Sequence, residues 1–221
     1  MSYPIVTPWN DTSFFMYTAP FLIEHNILVR GVLHIGAHTC EEKKEYNATG
    51  IGDERILWIE GNKDLCEQNK KNGIQNIYQA LISDTEKDVT FHITNNLASS
   101  SLFPLYVHKY FYPHIVESEA RKERTMSLPT FFSTHSIDPR NYNIWCLDIQ
   151  GGELDALKGA GDLLNDVDIL FCEVNYEKMY EDIPLADSVI AFLKDKGFTV
   201  THIKLWQNCW GDALFVKTKY L

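Results

Sequence analysis

The sequence predicts one α/β domain built on a mostly parallel β-sheet. Short apolar runs recur along its 221 residues, and helix-forming stretches separate them. This alternation is typical of a parallel sheet covered by helices. The runs are continuously apolar, as expected of strands that are buried on both faces. Since 221 residues hold one large domain more readily than two, we expect residues 1–221 to form a single domain.

The elements follow from these runs in chain order. Five parallel strands are predicted at Val29–Ile35, Arg55–Glu60, Ile77–Ser83, Asn143–Ile149 and Asp168–Val174. Helices are predicted between them at Thr39–Ala48, Lys63–Asn72, Glu153–Leu164 and Leu185–Lys196. The last helix has an apolar stripe and is followed by Gly197, a stop signal. An antiparallel hairpin at the sheet edge is predicted from Phe198–Leu205 and Asp212–Thr218.

One long segment interrupts the alternation. Between Asn95 and Tyr142 the chain carries a serine run and an aromatic cluster interleaved with two histidines. Insertions of this length are usually functional lids or disordered, and the aromatic content argues against disorder. Leu128–Thr134 is predicted to form a short helix within it.

Charge and cysteine content exclude several classes of function. The formal net charge of −10 opposes binding to nucleic acid or to an anionic membrane. The basic cluster Arg121–Arg124 is broken by a glutamate and is typical of solvated surface. The five cysteines include no CxxC pair, which indicates reduced thiols. No signal peptide or membrane-spanning run is visible, so we expect a cytoplasmic protein without nucleic-acid or membrane partners.

A turn and an acid predict a nucleoside site. Gly36 and Ala37 follow the first strand and leave room for a ligand near the backbone. Glu60 ends the second strand, where a carboxylate can accept hydrogen bonds from both ribose hydroxyls; the alternative is a surface glutamate. Glu41 and Glu42 would repel a pyrophosphate but could meet an ammonium group, and the turn is poor in glycine. The pattern favours S-adenosylmethionine over NAD.

Polar side chains follow the fourth and fifth strands. Asp148, Glu153, Glu173 and Asn175 should converge, because the carboxyl ends of parallel strands meet in one crevice. Carboxylates that are forced together raise one pKa and can supply a general base. Oxygens of Asp148, Glu173 and Asn175 also suit magnesium. The alternatives are a helix-capping Glu153 and an ion-paired Glu173.

Seven segments resemble the FkbM family of S-adenosylmethionine-dependent methyltransferases: HIGAHTCEE, ILWIEGN, ALISD, SSSL, LDIQGGELDALKGA, EVN and WGDALFV. The resemblance runs from about Val29 to Val216. It implies the Rossmann-like class I methyltransferase fold, with helices on both faces of a seven-stranded sheet of order 3-2-1-4-5-7-6. It also implies O-methylation of sugars or of other hydroxyl-bearing acceptors, and we expect the acceptor to be a carbohydrate, a sugar hydroxyl of a glycan or glycoconjugate. We expect the protein to work beside glycosyltransferases.

Two departures from the family pattern support an alternative function. His34 stands where such turns often have an acid, and Cys40 stands where they often have a glycine. These features favour a catalytically inactive module that binds the cofactor or a glycan. A small-molecule dehydrogenase is a third alternative, which the glycine-poor turn disfavours.

The resemblance and the strand ends together assign candidate residues. The cofactor-binding candidates are His34, Gly36, Ala37, Glu42, Glu60, Asn62, Leu81, Ser83 and Asp148. The catalytic candidates are Asp148, Glu173 and His108. The insertion at about 95–142 is expected to form part of the acceptor site, where the candidates are Ser100, Ser101, Tyr106, Tyr110, Glu153 and Asn175.

Overall fold

The computed structural model describes residues 21–221. Its strands and helices, in chain order, are β1 (Val32–Ile35), α1 (Lys43–Ala48), β2 (Ile56–Glu60), α2 (Lys63–Lys71), β3 (Ile77–Gln79), β4 (Leu81–Ile82), β5 (Asp88–Thr94), α3 (His108–Phe111), β6 (Glu117–Met126), α4 (Leu128–His135), β7 (Ile144–Leu147), α5 (Glu153–Ala160), β8 (Ile169–Asn175), α6 (Ala186–Asp195), β9 (Phe198–Trp206) and β10 (Trp210–Lys217).

Seven strands form the main sheet, in the order β3-β2-β1-β7-β8-β10-β9. The first five are parallel, and β10 runs antiparallel to both β8 and β9. Numbered along the chain, the strands of this sheet have the order 3-2-1-4-5-7-6. The predicted sheet and its C-terminal hairpin are therefore confirmed.

Both faces of the sheet are buried, which explains the continuous apolar runs. Alternate residues of a strand point to opposite faces, so in β1 Leu33 and Ile35 join one core cluster and Val32 joins another. The first cluster includes side chains of α4, α5 and α6, and the second includes Tyr46 of α1 and Cys66 of α2. Helices therefore cover both faces, as predicted.

The predicted third strand, Ile77–Ser83, is not continuous. Ile77–Gln79 pairs with β2, whereas Leu81–Ile82 pairs with β6 in a second sheet of order β4-β6-β5. The backbone N–H of Ala80, between the two parts, still donates to the Glu60 carbonyl at 3.0 Å. The split is set by pairing with a distant strand, and an apolar run alone carries no signal for it.

The segment 95–142 contains more regular structure than its composition indicated. Most of β6 is exposed and its sequence is strongly charged, so it lacks the apolar run that marks a buried strand. The predicted helix is confirmed as α4, whose Leu128, Phe131 and Phe132 pack into the main core. The irregular part of the segment is therefore confined to residues 95–116, apart from short helical turns.

Residues 95–116 lie against the loops that follow β7 and β8. Ser101 Oγ donates to the carbonyl of Gln150 at 2.7 Å, and Leu105 forms an isolated antiparallel bridge with Tyr180. These contacts hold the segment beside the carboxyl ends of the parallel strands.

Two further features of the structure concern the expectations about membrane-spanning segments and cysteines. Across residues 21–221, every helix is too short or too polar to cross a bilayer. The five cysteines are free thiols, and four of them are buried.

Candidate active site

The turn after β1 brings the ends of three strands into contact. Gly36 has a φ of +92°, and a Cβ at this position would lie 1.7 Å from the Asp148 carbonyl oxygen. The N–H groups of Gly36 and Ala37 both donate to the carbonyl of Ile59, at 2.9 and 3.0 Å. Glycine is thus required where β1 approaches the end of β7, whereas the sequence pattern had predicted it as room for a ligand.

Glu60 is fixed at the end of β2 by two backbone donors. Its Oε2 accepts a hydrogen bond from the His38 N–H, and its Oε1 accepts one from the Asn62 N–H, both at 2.7 Å. Burial raises the pKa of this carboxyl, and the two N–H bonds oppose that rise. Each carboxylate oxygen keeps a further lone pair for a ligand hydroxyl.

A cleft beside Glu60 is lined by both polar and apolar residues. Its lining includes Gly36, His38 and Glu60 together with the apolar Leu81, Ile82, Phe91, Leu97 and Leu102. A carboxylate among apolar side chains matches a nucleoside, since the sugar carries hydroxyls and the base a flat apolar surface. The donor set therefore fits the adenosyl part of S-adenosylmethionine.

Asp148 and Glu173 form a carboxyl pair at the ends of β7 and β8. Burial, together with the charge of Asp148, raises the pKa of Glu173 well above its usual range. Desolvation by neighbouring protein atoms also raises the pKa of Asp148, although this residue is exposed, and hydrogen bonds from Gln150 and Glu173 oppose that rise. Because the pKa of Glu173 is raised further, Glu173 is the member of the pair that holds the proton, in a hydrogen bond to Asp148.

Gln150 holds this pair in place. Its Nε2 donates to Asp148 Oδ1 at 2.6 Å and to Glu173 Oε2 at 2.8 Å, and its Oε1 accepts from the Tyr180 hydroxyl at 2.5 Å. Its backbone lies in the left-handed region, with a φ of +55°. Ser101 fixes the same residue by donating to its carbonyl. Gln150 is thus a positioning residue for both carboxylates.

Glu153 has a structural role in the turn after β7. Its carboxylate accepts hydrogen bonds from the N–H groups of Ile149, at 2.9 Å, and Gly151, at 3.0 and 3.2 Å. Burial raises its pKa to about 7, and the backbone donors oppose that rise. The side chain binds the turn that precedes α5 and makes no hydrogen bond that caps this helix, so the capping alternative is not met, and its role toward an acceptor stays a prediction.

The hydrogen bonding among these acids does not fit a magnesium ion. Oxygens of Asp148, Glu153 and Glu173 lie within 4.8 Å of one another, which is close enough for a shared cation. However, the Gln150 amide already donates to Asp148 and Glu173, and Glu153 is taken by backbone N–H groups. Asn175, the other predicted ligand, turns its amide nitrogen toward Glu173 at 3.3 Å. Donor hydrogens thus occupy the space that a cation would need, which favours proton chemistry.

A cavity of about 490 Å³ adjoins the cleft. Asp148 and Gln150 line both spaces, so the carboxyl pair stands at their junction. The cavity is also lined by side chains of residues 96–115 and of the loop after β8, among them His108, Tyr112, His114, Asn175, Met179, Tyr180 and Trp210. The segment 95–116 therefore forms one wall of the larger space.

The structure brings part of the predicted cofactor set to the cleft. Gly36, Glu60, Leu81 and Asp148 line it, and so does Ser100, which had been assigned to the acceptor. Other members lie elsewhere. Asn62 caps α2 by accepting from the Asp64 N–H at 3.0 Å, and Ala37 and Ser83 are buried. His34 and Glu42 line a third pocket next to α1, which Asp148 and Glu173 also line.

His34 is engaged within the core. Its Nδ1 lies 2.8 Å from the Tyr46 hydroxyl, and its ring is 4.8 Å from that of Trp58. Burial lowers its pKa to about 4, so the ring is neutral. The departure from the family pattern at this position therefore does not alter the cleft that Glu60 lines.

The acceptor candidates also divide into residues that line the cavity and residues that do not. Asn175 and His108 line the cavity and are buried. Tyr106 and Tyr110 are 46% and 78% exposed and line neither space. In the short helix α3, His108 is buried and Tyr110 is exposed, and Tyr106 precedes this helix.

Sequence reasoning missed Gln150, Tyr180 and Trp210. Gln150 lies within the segment LDIQGGELDALKGA, two residues after Asp148 and directly before a pair of glycines that forces a turn. This position could have identified Gln150 as a site residue. Trp210 stands opposite Asn175 in the register of β10 and β8. The predicted strand began only at Asp212, which left Trp210 outside the sheet.

Comparisons with known proteins follow this geometry. A family model of the methyltransferase FkbM domain matches residues 34–200. Similar solved structures include magnesium protoporphyrin IX methyltransferase (ChlM) from Synechocystis PCC 6803 with bound SAM, at 10% identity and a TM-score of 0.46, covering 92% of this chain and 77% of that chain. The Streptococcus pneumoniae protein Sp1610 has 12% identity and a TM-score of 0.43, with 93% and 70% covered.

A SAM-dependent methyltransferase from Aquifex aeolicus has 12% identity and a TM-score of 0.37, with 90% and 88% covered. The search of curated proteins found no match to the chain. The family match covers more than half of the 221 residues, from within β1 to the start of β9. The chain therefore belongs to the FkbM family of S-adenosylmethionine-dependent methyltransferases.

Proposed function

We propose that this methyltransferase acts on a hydroxyl oxygen of a sugar, in a glycan or glycoconjugate. The observation that carries the proposal is the junction of the two spaces. Asp148 and Gln150 line both the nucleoside cleft and the larger cavity, so a carboxylate stands where a methyl donor in one would face an acceptor in the other. A hydroxyl is weakly acidic, and its methylation needs a base at this place.

The residues of the cleft hold the methyl donor. Bound S-adenosylmethionine supplies a sulfonium methyl group, which an acceptor oxygen takes in line as the carbon–sulfur bond breaks. Glu60 accepts hydrogen bonds from the ribose hydroxyls, and the apolar side chains of the lining, among them Leu81, pack on the adenine. The close approach of Gly36 to Asp148 keeps the cleft next to the carboxyl pair.

The carboxyl pair receives the proton that the acceptor loses. Asp148 is the ionised member and accepts the hydroxyl proton, while Glu173 retains its own proton. Gln150 keeps both side chains oriented through two donated hydrogen bonds. His108, also buried beside this cavity, is the next candidate for the base, and burial lowers its pKa so that its ring is neutral.

The cavity walls suit a carbohydrate. Aromatic rings of Tyr112, Tyr180 and Trp210 line it, together with the polar side chains of Asn175 and Asn96. The C–H faces of a sugar pack on aromatic rings while neighbouring polar groups bind its hydroxyls.

The test is transfer of an isotopically labelled methyl group from S-adenosylmethionine to a panel of sugars and glycosides, with mass spectrometry to identify the methylated oxygen. We expect O-methylation of a sugar and no loss of activity in EDTA. Binding of S-adenosylhomocysteine by calorimetry without transfer to any hydroxyl would favour the inactive binding module. Loss of activity in EDTA that magnesium restores would contradict the proton-transfer role of the carboxyl pair.

A further inference from the structure

Three buried polar atoms of residues 21–221 have no hydrogen-bond partner: His108 Nδ1, Asn175 Oδ1 and Trp210 Nε1. All three residues line the large cavity next to Asp148. A buried donor or acceptor that stays unpaired costs about 1–3 kcal/mol, so three on one cavity indicate a ligand that pairs with them. We propose that these atoms form the acceptor-recognition set, and that the acceptor is an uncharged glycoside without phosphate or carboxylate groups. This inference rests on the proposed function.

The hydrogen-bonding character of the three atoms points to hydroxyl groups. The amide oxygen of Asn175 can only accept, and the indole N–H of Trp210 can only donate. The neutral ring of His108 does one or the other at Nδ1, according to its tautomer. A hydroxyl both donates and accepts and can satisfy each atom, whereas a phosphate would leave Asn175 unpaired and an ammonium group would leave Trp210 unpaired.

The charge of the cavity excludes an anionic acceptor. Asp148 and Glu173 line it, and no lysine or arginine of residues 21–221 does so. The first twenty residues contain neither type in their sequence. Its basic side chains are His108 and His114, and burial lowers the pKa of His108. A sugar nucleotide or sugar phosphate would thus meet carboxylates without a fixed cation to pair with it.

The indole of Trp210 is fixed in its orientation. Its ring stacks on that of Trp206, with centroids 4.7 Å apart and planes at 16°. Its Cα pairs with that of Asn175 across β10 and β8, so the donor and the acceptor come from neighbouring strands. The ring of His108 is packed between Tyr112, at 5.0 Å, and Tyr180, at 5.6 Å. Rigid groups of this kind bind a ring at little entropic cost.

The first experiment compares three matched sets of acceptors with the full chain and methyl-labelled S-adenosylmethionine: methyl glycosides of the common hexoses, the corresponding hexose 1-phosphates and the corresponding uridine diphosphate hexoses. We expect kcat/KM for the best methyl glycoside to exceed that of its phosphate-bearing counterparts at least ten-fold. Equal or faster transfer to a phosphate-bearing sugar would overturn the inference and leave the proposed function intact. Transfer to non-sugar hydroxyls alone, with all three sets inert, would overturn the proposed function as well.

The second experiment tests the recognition set with Trp210→Phe, which removes the N–H and keeps a ring. We expect KM for the methyl glycoside to rise about 3–10-fold, with Kd for S-adenosylhomocysteine unchanged. Tyr110→Phe is the control, because Tyr110 is exposed and does not line the cavity. An unchanged KM in Trp210→Phe would show that the N–H does not meet the acceptor and would overturn its assignment. If that variant loses S-adenosylhomocysteine binding through misfolding, His108→Phe is measured in the same way, with the same expected result.

Discussion

Replacing Glu60 by alanine tests the cofactor site without knowledge of the acceptor. Each oxygen of this carboxylate spends one lone pair on a backbone N–H, from His38 or Asn62, which leaves one on each oxygen for a ribose hydroxyl. Hydrogen bonds to charged groups contribute about 1.5–3 kcal/mol each, and the competing hydration of the carboxylate reduces their sum. We expect Glu60→Ala to weaken S-adenosylhomocysteine binding by about 2–3 kcal/mol, roughly 30–150-fold in Kd.

Calorimetry with S-adenosylhomocysteine and its 2′-deoxy analogue isolates the ribose contact. Wild type should bind the deoxy analogue more weakly, and Glu60→Ala should bind both ligands alike. The variant also leaves two N–H groups without their acceptor, so its Tm should fall and its folding is checked by circular dichroism. Glu67→Ala, an exposed change on α2, is the control. The assignment would be refuted if folded Glu60→Ala bound S-adenosylhomocysteine with wild-type affinity. It would also be refuted if the variant still bound the deoxy analogue more weakly than S-adenosylhomocysteine by the same factor as wild type.

Three further predictions concern the acid cluster. Asp148→Asn should lower kcat by a factor of roughly 10²–10⁴ and leave Kd for S-adenosylhomocysteine within a few-fold of the wild-type value. Glu177→Gln, an exposed change, is the control and should alter neither quantity. Full turnover in Asp148→Asn would rule out the role of Asp148 as base. Gln150→Met removes a donor that lowers the pKa of Asp148, so the rising limb of the pH profile of kcat/KM should move up by about one unit; coincident profiles would count against its positioning role. Asp212→Asn should raise Tm more at pH 8 than at pH 5, because the loss of stability begins above pH 3.8 and grows until about pH 7; the exposed Asp195→Asn is the control, and an equal shift at both pH values would contradict a buried charge.

The strands that sequence patterns revealed are those buried on both faces. Each such strand is a run of apolar residues, and β1, β2, β7 and β8 were found for that reason. The order of the strands was predicted from the family resemblance, because an apolar run does not indicate which strand lies next to it in the sheet. Strand β6 was missed because its charged residues face solvent and its pairing with β4 and β5 is long-range.

The candidate site was predictable where a strand end fixes a residue. Glu60, Glu173 and Asn175 lie at or near the carboxyl ends of β2 and β8, and Asp148 directly follows β7. Parallel strand ends meet at one edge of the sheet. The part that depends on loop conformation was not predictable. Tyr110 was assigned to the acceptor on composition alone, yet the side that it occupies is decided by the packing of α3.

Activity and stability depend in opposite ways on the charge of the acid cluster. Burial, with the charge of Asp148, raises the pKa of Asp212 to about 7, against an ordinary value of 3.8. A raised folded-state pKa means that the folded protein holds the proton more tightly, so this stability is complete below pH 3.8 and is lost as pH rises through 7. The ionised residue destabilises the fold by roughly 2–4 kcal/mol at pH 8. In the proposed mechanism, in contrast, catalysis needs Asp148 ionised and its rate increases as pH rises.

A cationic ligand can reconcile the two demands. S-adenosylmethionine carries a sulfonium charge that S-adenosylhomocysteine lacks, and the proposed function sets it beside Asp148. A positive charge there favours the ionised carboxylate, so the affinity ratio of the two ligands should shift toward S-adenosylmethionine as pH rises from 5 to 8. Transfer of the methyl group removes the sulfonium charge and leaves a proton on the pair of Asp148 and Glu173. These changes weaken binding of the product S-adenosylhomocysteine. Calorimetry of both ligands across this range checks the argument, and a ratio that does not change with pH would mean that no titrating carboxylate lies near the sulfur.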